Sequence, residues 1–312
     1  MQANIKEVKG QKAFRIARSK EFECYSMSDV YRKISAETNI DFTTVIEFLD
    51  CMPTFLNGQA HKERRAQQAR TYADRRRTAT HRCKAHISSV VGDLKSHWGG
   101  YDVLNQLARP LWLVMAEELL PIGISYKPEM DILPDLFLAH TPLTRRKKCE
   151  AFLKELTAYH GYDSLTDIAL VTLGARPFVN ALSTSVYVLA KRNHGKTFAE
   201  IEYPSYLPMP GLSYLHRVAA SEDPLVDPTI QKGMHFKCVI HDDTYPEEVI
   251  AKNQFGVGAH VCIGRQIALA AWRSLCSELS EIDKRIAPGE IEIVSAAPFE
   301  NVVTCCIEVG SD

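Results

Sequence analysis

Two long segments carry hydrophobic residues over most of a helical surface. Residues 163–192, DSLTDIALVTLGARPFVNALSTSVYVLAKR, are predicted to form a buried central helix with Asp163 or Ser164 as its N-cap. Residues 101–122 are similarly apolar and are predicted to form a long core helix. Pro110 predicts a kink or break in it, because proline lacks the amide proton that a helix interior needs.

Other segments predict shorter or more polar elements. Residues 58–98 are rich in charge and are predicted to form two helices, and residues 123–160 predict one broken helix followed by a longer one. Residues 14–27 are a candidate element of a small sheet, whereas residues 290–312 alternate apolar and polar positions as terminal strands do. The chain is therefore predicted to be mainly α with a small β region, in a single domain over residues 1–312.

A glycine-rich loop, Phe-Gly-Val-Gly-Ala-His-Val-Cys-Ile-Gly-Arg, occupies residues 255–265, directly before a predicted helix over 266–279. Its cysteine, Cys262, precedes the start of that helix, where amide donors and the positive end of the helix dipole stabilise a thiolate as a metal ligand. One known use of a single cysteine thiolate is axial ligation of haem iron. The alternative is a buried free cysteine in a glycine-rich turn.

The loop resembles the haem-binding loop of cytochrome P450 enzymes, Phe-Gly-x-Gly-x-(Arg or His)-x-Cys-x-Gly, with every fixed position filled. The resemblance covers about residues 55–280 discontinuously and implies a shortened cytochrome P450 fold. It implies haem b as cofactor, with Cys262 as the axial iron ligand and metal site. Phe255 and Gly264 are the loop's other cofactor-binding candidates.

Four further residues resemble the groups that hold haem propionates in this family. His61 and Arg65 are four residues apart, share one helix face and resemble the family's His-x-x-x-Arg pair. The predicted hairpin over 215–241, with its turn at Lys232-Gly233, resembles the one in which an arginine meets a propionate, which implies Arg217 with His260 as its partner. Guanidinium groups match carboxylates as two-pronged donors. For His61 and Arg65 the alternative is a solvated, charged helix face.

The middle of the central helix departs from the family's oxygenases. Where they have Ala-Gly-x-(Asp or Glu)-Thr, residues 173–178 read Leu-Gly-Ala-Arg-Pro-Phe. Arg-Pro resembles the fatty-acid peroxygenase branch, although the cysteine loop is of the ordinary type. The resemblance implies Arg176 and Pro177 as catalytic residues, with Arg176 positioning substrate or oxidant, and Gly174 beside the haem. A buried arginine is costly unless paired, so pairing of Arg176 with a buried acid is the alternative.

Two features of the family are missing or shortened in this chain. No Glu-x-x-Arg pair occurs in the chain, and a proline-rich stretch, EYPSYLPMPGLSYL, stands in its place. The part that covers the substrate pocket in the family, here residues 123–160, is short. We therefore expect either another contact or a partner subunit to secure the core, and either an open pocket or one closed by a second copy of the chain or a carrier protein.

Composition narrows the range of partners. The chain has 312 residues, 46% hydrophobic and 24% charged, with a formal net charge of −1, which gives no global argument for nucleic acid or membrane. Nine cysteines without a C-x-x-C motif and a polar first segment predict reduced thiols and a cytoplasmic protein. A basic run from Lys62 to Lys84 would suit an acidic ferredoxin-type electron donor, and a plain solvated face is equally consistent with it.

The resemblance implies a haem-thiolate oxidoreductase, a monooxygenase or peroxygenase, acting on a small, carboxylate-bearing organic substrate. Two alternatives stay open. A haem-thiolate dehydratase or isomerase without net oxidation would equally lack the acid and the alcohol on the central helix. A non-catalytic haem-binding protein acting through a partner would account for the missing Glu-x-x-Arg pair and the short cover.

Overall fold

The computed structural model describes residues 5–120, 123–138, 141–209, 213–222, 226–241, 244–296 and 299–310. Its α-helices are α1 (Gly10–Arg18), α2 (Met27–Thr38), α3 (Thr43–Asp50), α4 (Gly58–Ser96), α5 (Arg109–Leu119), α6 (Leu143–His160), α7 (Ser164–Arg192), α8 (Glu247–Asn253) and α9 (Arg265–Leu279). Its β-strands are β1 (Ile5–Val8), β2 (Phe22–Cys24), β3 (Gly99–Asp102), β4 (Tyr214–Ala219), β5 (His235–Val239), β6 (Arg285–Ala296) and β7 (Phe299–Gly310). The mainly helical fold with a small β region is confirmed.

The prediction of two helices over 58–98 is wrong, because α4 is one helix of 39 residues. No proline or glycine interrupts the stretch around residue 78. Tyr72, Ala79, Cys83 and Ile87 are all buried, so one apolar stripe runs through the expected break. Continuous burial of one face therefore holds the two halves in a single helix.

The central helix is confirmed as α7, and most of its length is buried. Asp163 stands at the N-cap, but its side chain makes no capping hydrogen bond. Pro177 lies inside the helix, which continues on both sides of it. Because a proline has no amide proton, it cannot donate to the carbonyl one turn earlier.

The kink or break predicted at Pro110 is present only as a change of helix type, because residues 103–119 are continuously helical. The expected helix over 101–122 is divided into β3, a π-helix at Leu104–Ala108 and α5. Pro110 is the second residue of α5, directly after the π-helix, so the helix changes its type where the proline has no amide proton to donate. Residues 121 and 122 lie outside the described part of the chain.

Two small sheets flank the helices. The first has the strand order β1-β5-β4-β2, in which β4 and β5 form the predicted antiparallel hairpin with Arg217 opposite Phe236. The second, β3-β7-β6, contains the predicted terminal strands. The candidate sheet element at 14–27 is partly wrong: only Phe22–Cys24 is a strand, and Phe14–Arg18 belongs to α1, which buries Phe14 and Ile16.

A contact within the chain fastens the proline-rich stretch that replaces the Glu-x-x-Arg pair. Trp272 of α9 is fully buried, and its indole Nε1 donates to the carbonyl oxygen of Pro204 at 2.9 Å. Just before it, the amides of Phe198 and Ala199 donate to the carbonyls of Lys284 and Ile282, each at 3.0 Å. These bonds attach the stretch and the residues before it to the middle of α9 and to the segment that follows this helix.

The pocket cover is short, as expected. It consists of a 3-10 helix at Pro128–Phe137 followed by α6. All nine cysteines are free thiols. Among the described helices, none has both the length and the apolar character that crossing a bilayer requires.

Candidate functional site

A cavity of about 540 Å³ opens between the helices and the first sheet. Its walls come from α2, α4, α5, α7, the strand β4 and the start of α9, and they are predominantly apolar. Cys262 and Gly264 line it from the loop before α9, while Leu173, Gly174 and Pro177 line it from α7. The loop and the central helix singled out in the sequence thus border the same space.

The cysteine loop folds back on itself before α9 begins. The amide of Cys262 donates to the carbonyl of Phe255 at 2.8 Å, which closes the loop around its glycines. Gly258 has φ +69°, and a Cβ there would lie 3.3 Å from the Cα of Arg18. Both the left-handed backbone and this close approach to α1 require glycine.

The Cys262 thiol meets hydrogen-bond donors at the start of α9. Burial raises the pKa of this thiol, while the backbone amides of Gly264 and Arg265 and the positive charge of Arg65 act to lower it. The accessible surface of Cys262 faces the cavity, which the residue lines. A Cβ on Gly264 would lie 3.6 Å from the sulfur, so glycine keeps the space beside it open. This arrangement suits a thiolate that binds a metal.

Four basic side chains gather at one edge of the cavity. The rings of His61 and His260 are 4.1 Å apart between centroids, and Arg217 is buried. Desolvation, followed by the charges of Arg217, His61 and Arg65, lowers the pKa of His260 to about 3. In the described part of the chain no carboxylate pairs with any of the four, and His61 Nε2 and Arg217 Nη2 have no hydrogen-bond partner.

These residues fit a haem. The sulfur of Cys262 faces the cavity, where it could bind a metal, and two arginines and two histidines, without acidic partners in the described part of the chain, offer donors to two carboxylates. Arg65, Arg217 and His260 line the cavity, whereas His61 lies behind His260 and supports its ring. Arg65 also donates to the carbonyl of Val261, so the same arginine braces the cysteine loop.

Arg176 lies elsewhere than the resemblance implied. Its Nη2 donates to Asp135 Oδ1 at 2.9 Å, and the two side chains are only 15% and 16% exposed. Arg176 is not among the described residues that line the cavity. The Arg176 side chain thus pairs with an acid of the pocket cover. Pairing with a buried acid was the alternative to a catalytic role.

Its neighbours on α7 do line the cavity. Pro177 and Phe178 contribute to the wall, and Phe178 packs against Trp112 of α5 with ring centroids 5.9 Å apart. A Cβ on Gly174 would lie 2.7 Å from the Trp112 ring. Glycine at 174 therefore allows the indole to pack directly on the helix backbone.

Sequence reasoning missed several residues of the site. Cys24 lines the cavity with its sulfur 3.3 Å from His260 Nε2, and Asn57 holds the Cys24 backbone through bonds of 2.7 and 3.2 Å. His216 and His235 also line the wall, with ring nitrogens 3.0 Å apart. Cys24, His216 and His235 lie in short strands with no motif of their own, so only tertiary structure brings them together.

Solved structures with the same architecture are cytochromes P450. P450 RauA, complexed with a biosynthetic intermediate of aurachin RE, is 13% identical with a TM-score of 0.75, covering 97% of this chain and 90% of its own. P450BioI, in complex with an acyl carrier protein ligated to hexadec-9Z-enoic acid, is 12% identical with a TM-score of 0.69, covering 97% and 91%. Cytochrome P450-153 from Novosphingobium aromaticivorans is 15% identical with a TM-score of 0.64, covering 96% and 88%.

The chain has the cytochrome P450 fold. At these identities the likeness establishes the fold alone. No family model and no curated protein sequence matches the chain.

Proposed function

We propose that this protein is a haem-thiolate oxidoreductase of the cytochrome P450 type, with one haem-binding domain over residues 1–312. The observation that carries the proposal is the Cys262 sulfur, which faces the cavity while the amides of Gly264 and Arg265 and the charge of Arg65 favour its thiolate. In the P450 fold a thiolate in a loop of this sequence has one established use, ligation of haem iron.

The chain's own residues would hold haem b at both the metal and the propionates. Cys262 would supply the iron ligand, and Arg65, Arg217 and His260 would donate to the carboxylates, with His61 behind them. Phe255 and Gly264 form the wall of the cavity beside the sulfur. When bound, haem supplies oxidation chemistry at its iron, while the protein binds and orients the substrate.

The proposed substrate is a small organic molecule with a largely apolar body, matching the walls. We place its carboxylate at Arg146, which lines the cavity, rather than at Arg176, which does not. Arg146 is 5% exposed and lines the cavity. Its Nε and Nη2 donate to the carbonyls of Thr141 and Leu138 at 2.9 and 3.1 Å, which fixes the guanidinium at this part of the wall.

The oxidant and the electron source are separate proposals. Exposed arginines of α4 and α9, such as Arg70, Arg77 and Arg273, form a basic surface that would suit an acidic ferredoxin-type donor. The central part of α7 has no carboxylate–alcohol pair, which favours hydrogen peroxide as the oxidant, as in a peroxygenase. The short cover and the carrier-bound acyl group of P450BioI support delivery of substrate by a carrier protein or closure by a second copy of the chain.

A second candidate function is a haem-thiolate dehydratase or isomerase. The same absence of an acid–alcohol pair in the middle of α7 favours it, because such enzymes need no proton relay to dioxygen. Turnover without added reductant or peroxide would distinguish it from an oxidase. A non-catalytic haem protein would give no turnover in either assay.

The experiment is a product search with haem-loaded protein and a panel of medium-chain fatty acids and aromatic acids. One series receives hydrogen peroxide, and the other receives ferredoxin, ferredoxin reductase and NADPH. We expect products that contain one added oxygen atom in at least one series, and none with Cys262→Ser. Products without added oxygen, formed in the absence of either oxidant system, would replace the proposal with the second candidate.

A further inference from the structure

Two histidines share one face of the first sheet. In the antiparallel pairing of β4 and β5, Val218 stands directly opposite His235, and His216 lies two residues before Val218. Side chains two residues apart on a strand point to the same face, so His216 and His235 are diagonal neighbours on one face. Arg217, between His216 and Val218, points to the other face. A haem carboxylate held by Arg217 therefore leaves the two histidines free.

The two imidazole rings are joined and held in place. His216 Nδ1 and His235 Nε2 lie 3.0 Å apart and form a hydrogen bond. The ring of Tyr25 stacks on His235, with centroids 4.9 Å apart and planes inclined by 13°. Tyr214 meets His216 edge-on, with centroids 5.4 Å apart and planes at 89°. Each imidazole thus packs against a tyrosine, which fixes its orientation.

The histidine pair lies where the cavity opens to solvent. Both histidines line the cavity, together with Ile5 and Tyr25. Ile5 and Tyr25 are 47% and 39% exposed, whereas His235 is only 8% exposed. The mouth of the cavity is therefore beside the pair, and a ligand that extends from the interior to the mouth would end next to these two rings.

The pair is uncharged at neutral pH. Burial lowers the pKa of His216 to about 4, and the charges of His235 and Lys237 act in the same direction. Burial also lowers the pKa of His235. Each neutral imidazole carries one N–H donor and one acceptor nitrogen.

This count determines what the pair can bind. One nitrogen of each ring is used in the bond between the rings, which leaves His216 Nε2 and His235 Nδ1. Whichever ring donates in that bond, one remaining nitrogen is a donor and the other is an acceptor. Within the described part of the chain, no other residue bonds to either of them. A hydroxyl group can both donate and accept, so it matches either nitrogen in either state, whereas a carbonyl or a carboxylate matches only the donor.

We infer that the His216–His235 pair binds a hydroxyl group of the substrate at the mouth of the cavity. The substrate would then be an organic acid that carries a hydroxyl group distant from its carboxylate. The inference rests on the proposed function, from which it takes the carboxylate at Arg146. Arg146 on α6 and the pair on the β4–β5 hairpin line the same cavity, so the two polar ends of such a substrate would fix the direction in which it lies.

The test compares ω-hydroxy fatty acids with their parent acids, in chain lengths from octanoic to hexadecanoic acid. Titration of the absorption spectrum of the haem-loaded protein gives the Kd of each. At the best chain length we expect the hydroxy acid to bind about two- to tenfold more tightly than the parent acid, which is the range of one neutral hydrogen bond. His235→Phe keeps a ring to stack on Tyr25 and removes both nitrogens, so it should abolish this preference without changing the Kd of the parent acid.

A second variant covers the case in which His235→Phe does not fold. His216→Phe keeps the edge contact with Tyr214 and should also abolish the preference. The control is His81→Phe on the exposed side of α4, away from the cavity wall, which should retain it. No preference at any chain length in the wild type, or an undiminished preference in the folded variants, would overturn the inference. Equal losses of affinity for the hydroxy acid and the parent acid would show a structural role for the pair and would also overturn it.

Failure of the proposed function gives a different result. Trp112 lines the cavity, so its fluorescence reports ligand binding in the haem-free protein as well. A protein without a thiolate spectrum that still prefers hydroxy acids through the pair would refute the proposed function and support the inference. A protein with a thiolate spectrum and no such preference would overturn the inference alone.

Discussion

The Arg176 guanidinium on the central helix is bound to Asp135 of the pocket cover, with Nη2 and Oδ1 2.9 Å apart. Asp135 also accepts from Arg145 Nε at 2.9 Å, so one carboxylate joins α7 to the start of α6. The arginine that most resembles a substrate clamp in the sequence is therefore a structural tie between two elements that enclose the cavity.

Replacing Arg176 should reduce stability and leave ligand binding in place. Arg176→Gln removes a mostly buried charged hydrogen bond, so we expect the free energy of unfolding to fall by about 1.5–3 kcal/mol. A double-mutant cycle with Asp135→Asn should give a coupling energy of similar size, measured by urea unfolding. Arg176→Gln that lost substrate binding at full haem content, with unchanged stability, would contradict this role.

Arg146 should control the affinity for carboxylates. Arg146→Met should raise the Kd of dodecanoic acid at least about tenfold, equivalent to about 1.4 kcal/mol, while the Kd of dodecanol stays unchanged. Binding is measured by titration of the haem absorption spectrum. Lys148→Gln, on the exposed face of α6, is the control. Equal losses of affinity for dodecanoic acid and dodecanol in Arg146→Met would show a purely structural effect and contradict this role.

Gly174 should not tolerate a side chain. A Cβ there would lie 2.7 Å from the Trp112 ring, so Gly174→Ala should destabilise the protein by about 1–3 kcal/mol through overpacking. Gly92→Ala is the matched control, because Gly92 is also helical and a Cβ added to it would have no neighbouring atom within 4 Å. We expect that variant to be stabilised by up to about 1 kcal/mol. Identical thermal unfolding curves for Gly174→Ala and Gly92→Ala would contradict the packing account.

The basic cluster should make the haem-free protein sensitive to acid. The pKa of His260 is lowered to about 3 in the folded state, so below the ordinary histidine pKa of about 6.5 the unfolded chain binds the extra proton. Stability should therefore fall as pH decreases from about 6.5 towards 3, by at most about 1.4 kcal/mol per pH unit for this residue.

Urea unfolding of the haem-free protein at several pH values measures this dependence. His260→Gln should flatten it, because glutamine does not titrate. His81→Gln, on the exposed side of α4, is the control and should leave the slope unchanged. A wild-type slope equal to that of His260→Gln between pH 6.5 and 4 would contradict the account of the cluster.

The sequence predicts the parts of the site that depend on local geometry. The glycine-rich loop before α9 places Cys262 at a helix start regardless of the rest of the chain, and the apolar periodicity of residues 163–192 is sufficient to predict α7. Position within the site is harder to predict. Arg176 and Asp135 are 41 residues apart on different elements, and nothing in either segment indicates that they meet.

Burial in the folded protein also determines features that local sequence patterns do not predict. The region around residue 78 of α4 has no strong helix-forming pattern, yet the buried stripe from Tyr72 to Ile87 keeps it helical. The proline-rich stretch gives no hint that Pro204 accepts a hydrogen bond from Trp272, 68 residues later. Such contacts stand in place of the expected Glu-x-x-Arg pair. Only the folded structure shows them.

The central claim is that Cys262 is a haem-ligating thiolate, and the most direct test is the visible absorption spectrum of the purified protein after reduction under carbon monoxide. We expect a strongly red-shifted Soret band for the wild type and its loss in Cys262→His, with haem still bound. An unshifted band in the wild type, or no haem binding after reconstitution, would contradict the claim.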